Sequence, residues 1–300
     1  MIENNKMEQE KQRVAGLSVI AAFLLTSFKL VIGLMTGSLG LLSEALHSGL
    51  DLFAAVITWF SVRISDKPPD KEHPYGHGKI ENFSALVETF LLLITCAWIV
   101  YEAVKRLSSG DTHIEVNVFS YIVVVTSIVI DITRSRALYR VARKYNSQAL
   151  EADALHFSTD IWSSAVVLLG LILAHFGWFF ADSVAALAVA LIVLGVSYRL
   201  GKRAVDVLLD RSPASVVASV ESVLSQAQGI LRYHDLKVRS AGAENFIEVT
   251  IHVEAGLSLE RAHEISHTIE NQIIKALPRS FVHVHIEPDK HQPEKIEKEE

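Results

Sequence analysis

Apolar residues dominate the first two thirds of the 300-residue chain and fall into six segments, each close to the roughly 20 residues that a membrane-spanning helix needs. Charged residues at membrane depth favour helices packed around a hydrated path over helices that face lipid. The pattern therefore predicts a multi-pass α-helical membrane protein with six transmembrane helices in residues 14–209. The segments are 14–35, 39–62, 83–104, 116–138, 149–176 and 178–200, and the charges that interrupt them are Lys29, Glu44, Glu88, Asp131 and Asp182.

The pattern changes after this region to short amphipathic elements. A helix is predicted to start with Ser212 as its cap and Pro213 in its first turn. The αββαβ order, with one face of the sheet covered, predicts a C-terminal α+β domain of ferredoxin-like type over residues 210–289. Residues 1–13 are expected to form a cytoplasmic N-terminal tail, and residues 290–300 a charged disordered tail. The predicted elements are a helix over 213–228, strands over 234–239 and 245–254, a helix over 259–276 and a strand over 281–287.

Composition narrows the classes of function. Half of the residues are hydrophobic, 21% are charged, and the net charge of −6 gives no sign of nucleic-acid binding. The single cysteine, Cys96, excludes a disulfide framework and a cysteine-based zinc site.

The distribution of lysine and arginine among the loops predicts that both termini are cytoplasmic. The first and fifth predicted loops carry none, and Lys105 and Arg106 in the third run against the trend but are outnumbered. The basic residues that set the orientation are Arg63, Lys67, Lys71 and Lys79 in the second loop and Arg134, Arg136, Arg140, Arg143 and Lys144 in the fourth.

The strongest chemical signal is a histidine and an aspartate four residues apart, which occurs in two of the apolar segments. His47 and Asp51 share one face of the second predicted helix, and His156 and Asp160 share one face of the fifth. Two imidazoles and two carboxylates match the coordination number and ligand types of Zn²⁺. The pairs therefore predict a metal site at membrane depth; the alternative is two unrelated polar spots at a helix interface.

Two further groups of residues could bind metal. In the loop DKPPDKEHPYGHGK, Asp70, His73 and His77 can gather around one divalent ion, although a plain solvated loop explains them equally well. On the outward face of the C-terminal sheet, histidines cluster beside an acidic residue, which favours a second metal site over an ordinary solvated face. The residues of this face are His252, His283 and His285, with His234 nearby in the preceding strand and Glu287 at the end of the last.

The sequence His263-Glu264-Ile265-Ser266-His267 fits H-E-x-x-H, the helical zinc signature of metalloproteases. A metalloprotease also needs a third ligand and an open cleft. The predicted helix is the packing helix of a domain of about 80 residues, which leaves little room for a cleft, so the motif is expected to be coincidental.

Together these features resemble the cation diffusion facilitator family. The resemblance rests on six membrane helices, the two H-x-x-x-D motifs, a D-x-x-H-x-x-x-H loop, and an αββαβ domain that ends in V-H-x-E-P, and it extends from about Val14 to Pro288. It implies a homodimeric exporter in the inner (plasma) membrane that moves a divalent metal ion out of the cytoplasm in exchange for protons. Zn²⁺ is the expected cargo and also the expected structural or regulatory ion; Cd²⁺, Fe²⁺, Co²⁺ and Mn²⁺ are the alternatives.

The resemblance also assigns residues. It implies a charge pair between Lys79 and Asp210, and it shows one departure, because Thr250 stands where many members have histidine. His252 or His283 could substitute for that histidine, so at least one metal per C-terminal domain is expected rather than two. The implied transport site is His47, Asp51, His156 and Asp160; the loop site is Asp70, His73 and His77; the cytoplasmic ligands are His234, His263, His285 and Glu287.

Three classes of function remain open at this point: a secondary transporter, a membrane metalloprotease that needs Glu264, and a membrane-anchored metal sensor. A sensor or a protease needs no polar pairs at membrane depth. The paired histidines and aspartates therefore favour the transporter.

Overall fold

The computed structural model describes residues 2–36, 39–109, 118–175 and 181–289, which form two compact units that divide between Leu208 and Leu209. Within the described residues, the first unit is built from long helices and the second from helices and strands. The elements are α1 (Ile2–Thr36), α2 (Leu39–Ser65), α3 (Lys79–Ser109), α4 (Val118–Tyr145), α5 (Gln148–His175), α6 (Ala181–Leu208), α7 (Ala214–Gln226), β1 (Arg232–Ala241), β2 (Glu244–Glu254), α8 (Leu259–Ala276) and β3 (Ser280–Asp289).

Three of the long helices are apolar over enough of their length to cross a membrane, when only the described residues are considered. The segments are Lys6–Met35 in α1, Ala45–Ser65 in α2 and Lys79–Lys105 in α3. α4 is less apolar because it carries Asp131 and Arg134 near its middle. The prediction of a membrane domain is therefore confirmed, whereas the number of six spanning helices stays a prediction.

Large apolar side chains are exposed along α1 and α3. Examples are Phe23 and Leu24 on α1 and Phe90 and Trp98 on α3, each more than half exposed. A soluble monomer rarely exposes so much contiguous apolar surface, whereas a helix that faces lipid requires it.

Two buried apolar clusters hold the first unit together, and α5 contributes to both. Leu150 and Phe157 of α5 pack in a cluster with α1, α2 and α4, and Ala152 of α5 packs in a second cluster with α3 and α6. Both clusters are rich in alanine, which lets helices approach closely. α5 therefore lies between the other helices, so that polar side chains along it meet partners from several sides.

The N-terminal residues depart from their prediction. Residues 2–13, expected as a tail, continue α1 without a break. Lys11 is buried, and its Nζ lies 2.6 Å from Asp66 Oδ1 and 2.7 Å from Glu81 Oε1. These ion pairs fix the first turns of α1 to the ends of α2 and α3.

The predicted fourth loop is also shorter than expected, because α4 continues to Tyr145 and α5 begins at Gln148. Most of its basic residues therefore lie on the last turns of α4. Arg134 is buried, and its guanidinium lies over the ring of Phe157, 3.5 Å from the centroid. The contact with Phe157 and the hydrogen bond that Arg134 donates to Asp131 explain why this charged residue is tolerated inside the helix.

The second unit has the predicted αββαβ order. Its sheet has the strand order β1-β2-β3. β1 is antiparallel to β2, and β2 is parallel to β3. α7 and α8 cover one face, where Ile251 of β2 and Ile269 of α8 are almost fully buried. α8 begins and ends as predicted, with the Ser258 hydroxyl accepting a hydrogen bond from the backbone of Arg261. The predicted charged tail, residues 290–300, lies outside the described residues.

The start of α7 differs from the prediction. Pro213 occupies the cap position, with φ of −71°, and makes no side-chain cap. Ser212, expected to be the cap, instead donates its hydroxyl hydrogen to the carbonyl oxygen of Val238 at 2.7 Å. The serine therefore joins the start of α7 to β1.

Candidate metal centres

The structure brings together the two histidine–aspartate pairs of α2 and α5. His156 Nε2 lies 3.1 Å from Asp51 Oδ1 and 3.8 Å from Asp160 Oδ2. His47 Nε2 lies 3.8 Å from Asp160 Oδ1 and 4.0 Å from Asp51 Oδ1. Each histidine therefore faces the aspartate of its own helix and that of the other helix. The four side chains alternate between nitrogen and oxygen donors.

These distances are close to what a zinc ion requires. Zn–N and Zn–O bonds of about 2.0–2.1 Å in a tetrahedron place neighbouring ligand atoms about 3.3–3.4 Å apart. Three of the measured separations exceed this value by about half an ångström. His47, Asp51 and Asp160 offer three ligand atoms that all lie within 4.8 Å of one another, and His156 approaches both aspartates.

The two sides of this group differ in exposure. His156 and Asp51 are buried, with 2% and 9% of their surface exposed, whereas the side chain of His47 is 36% exposed. His47 of α2 and, to a smaller extent, Asp160 of α5, with 13% of its side chain exposed, form the more open side of the group, and Asp51 and His156 form the buried side.

The site has a further acidic contact that was not predicted from the sequence. Glu88 of α3 is fully buried, and its Oε2 lies 3.8 Å from Nδ1 of His156. The available signal was its position as an acidic interruption in an apolar segment, a feature it shares with Asp131. Lys29 and Asp131, two other interruptions, are also buried, whereas the side chains of Glu44 and Asp182 lie outside the described part.

The loop between α2 and α3 gathers its three predicted ligands. Asp70 Oδ1 lies 3.3 Å from His73 Nδ1, and Asp70 Oδ2 lies 3.4 Å from His77 Nε2. Gly76 makes this turn possible with φ of +76°, a conformation that other residues rarely adopt. The backbone N–H groups of His73 and Glu72 both donate to Asp70 Oδ1 and, His73 foremost, lower the pKa of its carboxyl. The carboxylate is therefore kept ionised, as a metal ligand must be.

The C-terminal sheet forms a third group, centred on His252. Its Nε2 lies 3.0 Å from His234 Nδ1 and 3.7 Å from Glu287 Oε2. Glu287 is in register with His252, and its other oxygen lies 3.7 Å from His285 Nε2. Among the described residues, three sets of three potential ligand atoms lie within 4.8 Å of one another. They are His47, Asp51 and Asp160; Asp70, His73 and His77; and His234, His252 and Glu287.

Two expectations about the sheet need correction. The histidine face is not uniformly exposed, because His252 is 5% exposed beneath its neighbours. Thr250, the departure from the family pattern, lies in register between His234 and His285 and leaves the position between them without a nitrogen ligand. His252, two residues along the same face, approaches His234 in its place. His283 is in register with Glu248 on the far side of the Thr250 row and does not join the group.

The H-E-x-x-H segment has none of the geometry of a protease site. His263 and His267 lie on the exposed side of α8, opposite to the buried Ile265 and Ile269 that pack on the sheet. Glu264 is exposed and pairs with Arg261 at 2.7 Å. His263 is also separated by the sheet from the group at His252, so the structure does not bring it together with the other implied ligands.

The predicted pair of Lys79 with Asp210 would join the two units and stays a prediction. Within the first unit, Lys79 Nζ donates to the carbonyl oxygen of Leu208 at 3.4 Å. Within the second, Asp210 Oδ1 lies 3.8 Å from Arg239 Nη1.

Comparison with known proteins agrees with this geometry. Residues 16–209 match the family profile of the cation efflux transmembrane domain, and residues 213–289 match that of the cytoplasmic domain of cation efflux proteins. An uncharacterised transporter of Methanocaldococcus jannaschii is 32% identical over 281 residues, which cover 93% of this chain and 99% of that protein. The cation-efflux pump FieF of Shigella boydii is 30% identical over 287 residues, which cover 94% of this chain and 95% of the pump.

Among solved structures, the metal-bound C-terminal domain of the CzcD transporter from Thermotoga maritima is 27% identical, covers 25% of this chain and 87% of that domain, and has a TM-score of 0.24. The family assignment depends on the two profiles and on the relatives that match nearly the whole chain. On that basis, the chain belongs to the cation efflux family, the cation diffusion facilitators, whose members are membrane transporters and not enzymes.

Proposed function

We propose that this protein exports Zn²⁺ from the cytoplasm in exchange for protons, through a site formed by His47, Asp51, His156 and Asp160. The observation that carries the proposal is the alternating arrangement of these four side chains, with nitrogen-to-oxygen separations of 3.1–4.0 Å. Two nitrogen and two oxygen donors suit Zn²⁺, whereas Mn²⁺ prefers more oxygen.

The exchange follows from the chemistry of the ligands. Imidazole and carboxylate groups bind metal only when they are deprotonated, so that metal binding releases protons and protons displace metal. A site that opens alternately to the two sides of the membrane then converts a proton gradient into zinc export. All six long helices cross the membrane in this arrangement, both termini are cytoplasmic, and the protein works as a homodimer in the plasma membrane.

Transport into proteoliposomes under an imposed pH gradient tests the proposal. Zn²⁺, Cd²⁺, Fe²⁺, Co²⁺ and Mn²⁺ are compared, and zinc uptake driven by the proton gradient is expected to be the fastest. Asp51→Ala and Asp160→Ala should each reduce zinc flux by more than the roughly 10–100-fold that loss of an outer-shell partner costs. Size-exclusion chromatography checks that the variants remain folded dimers.

Glu264→Gln is the matched control, because Glu264 is exposed on the outer side of α8 and pairs only with a neighbour on its own helix in the described structure. It should transport at the wild-type rate, and the wild type should cleave no peptide. Wild-type zinc flux in both aspartate variants would refute the proposed site. Faster proton-driven flux of another ion would replace Zn²⁺ as the cargo.

A further inference from the structure

A buried carboxyl group lies directly behind one of the proposed transport ligands. Glu88, near the middle of α3, has no exposed surface. Its Oε1 accepts a hydrogen bond from the Thr58 hydroxyl at 3.1 Å, and its Oε2 lies 3.8 Å from Nδ1 of His156. The other ring nitrogen of His156, Nε2, faces Asp51 and Asp160. The imidazole thus lies between the proposed cation site and Glu88.

The two facing atoms lack any other hydrogen-bond partner in the part of the chain that the structure describes. This is true of Glu88 Oε2 and of His156 Nδ1, and both are shielded from solvent. Buried polar atoms are rarely left without a partner, so the pair is poised to bond. A movement of about 0.9 Å would bring the atoms to an ordinary N–H···O distance of about 2.9 Å.

This geometry has a chemical consequence for the histidine. A histidine that binds a metal through one ring nitrogen usually donates the N–H of the other to a carboxylate or carbonyl, which fixes its tautomer and the orientation of its ring. With the hydrogen on Nδ1 and directed at Glu88, the lone pair of Nε2 is directed at the site between Asp51 and Asp160.

Thr58 links the same carboxyl group to the other ligand helix. Thr58 is seven residues after Asp51 on α2, so the two side chains lie on the same face of that helix. Glu88 therefore contacts α5 through His156 and α2 through Thr58. A single side chain of α3 thus contacts both helices that carry the ligands.

We infer that Glu88 is a positioning residue of the transport site: it holds His156 with Nε2 directed at the cation and thereby sets the affinity for zinc. The inference rests on the proposed function, because it assumes that the cation binds between α2 and α5. Glu88 is not a ligand itself. Its loss should weaken binding without removing the site.

The test measures zinc affinity and transport for graded variants of Glu88. Glu88→Leu removes the acceptor, Glu88→Gln keeps an acceptor oxygen at the same place, and Glu88→Asp keeps the carboxyl group but withdraws it by one methylene. Glu102→Gln, fourteen residues further along α3 and thus about 21 Å away, is the control. Calorimetry of the solubilised dimer, after subtraction of an Asp51→Ala/Asp160→Ala background, gives the affinity of this site alone, and flux in proteoliposomes gives KM and Vmax.

Glu88→Leu is expected to raise the KM and the dissociation constant for zinc about 10–100-fold, the usual effect of losing an outer-shell partner. Glu88→Gln and Glu88→Asp should fall between Glu88→Leu and the wild type, while Vmax at saturating zinc and the yield of folded dimer stay unchanged. Unchanged KM and affinity in Glu88→Leu and Glu88→Gln would overturn the inference. A fall in Vmax at constant KM together with a loss of dimer would also overturn it, because that result describes a structural role.

The two proposals can fail separately. If the wild type does not transport zinc, or if Asp51→Ala and Asp160→Ala both transport normally, the proposed function fails whatever Glu88 does. If the wild type transports zinc and the aspartate variants do not, wild-type behaviour of the Glu88 variants refutes only the positioning role. Should Glu88→Leu not fold, Glu88→Gln, which has nearly the same shape, still decides the question through its affinity.

Discussion

His252→Ala should abolish most of the stability that zinc gives to the C-terminal unit. A ligand that binds only the folded state stabilises it by about 2.7 kcal/mol when its free concentration is 100 times the dissociation constant. For a unit of this size, 1 kcal/mol shifts the midpoint of thermal unfolding by roughly 4–8 °C, so that zinc should raise the midpoint by about 11–22 °C. His252 is at the centre of the ligand group, 3.0 Å from His234 and 3.7 Å from Glu287.

The variant and the wild type are compared by the shift that zinc causes in the midpoint of thermal unfolding, and not by the midpoint itself. His252 is almost fully buried, so its truncation also destabilises the metal-free unit through lost packing. Residues 209–289 are therefore unfolded with and without Zn²⁺ at one fixed protein concentration, followed by circular dichroism. The shift should shrink as the pH is lowered, because protons compete with the metal for the imidazole nitrogens.

His283→Ala supplies the matched control. His283 lies on the same face of the sheet and is equally a histidine, but it is exposed and in register with Glu248, outside the ligand group. It should keep the full zinc-dependent shift. An equal shift in His252→Ala and the wild type, or no heat of zinc binding at neutral pH, would refute the metal site on this face.

Two further predictions concern the first unit. Lys11→Met removes the cation from two buried carboxylates, those of Asp66 and Glu81, and should lower the free energy of unfolding in detergent by about 3–5 kcal/mol, as expected when one partner of a buried ion pair is lost. Lys11→Arg is the control, and a loss below about 1 kcal/mol in Lys11→Met would contradict the reasoning. The lowered pKa of Asp70 keeps its carboxylate charged, so the stability it gives the turn is present above the usual aspartate range and lost only as pH falls through the lowered value. Asp70→Asn removes this charge and should therefore weaken zinc binding by the loop at neutral pH; an unchanged affinity, measured by calorimetry of the full chain against an Asp51→Ala/Asp160→Ala/His252→Ala background, would contradict this.

The sequence was sufficient for features that depend on local spacing. The histidine–aspartate pairs, four residues apart, had to lie on one helical face, and the structure brings the two pairs together. α8 was predicted to the residue because its apolar period is a local signal, and the structure shows Ser258 capping its first turn.

Features that depend on distant partners could not be predicted in this way. Hydropathy assigned residues 2–13 to a tail because it cannot register that the charge of Lys11 is satisfied by residues more than fifty positions away. The same applies to the end of α4, which was predicted at residue 138 but lies at Tyr145, where Lys144 Nζ pairs with Glu10 of α1 at 2.6 Å. Charged residues ended the predicted helices, whereas long-range ion pairs let the actual helices continue.

The ligand groups show the same limit. Strand alternation placed His252 and His283 on one face, but it could not show that the first is buried beside His234 and that the second is offset by a row of the sheet. Glu88 belongs to no motif. Its contact with His156 arises only when α2, α3 and α5 are packed together.

α3 joins the proposed transport site to the last turn of α6 through contacts along one helix. Near its middle, Glu88 faces His156, and at its first residue Lys79 donates to the carbonyl oxygen of Leu208. The packing between the two helices is tight, because a Cβ placed on Gly201 of α6 would lie only 2.8 Å from Cγ2 of Thr89. A side chain at position 201 would therefore force Thr89 or the helix axis of α3 to shift away from α6, because a packed interior leaves no free space to absorb it.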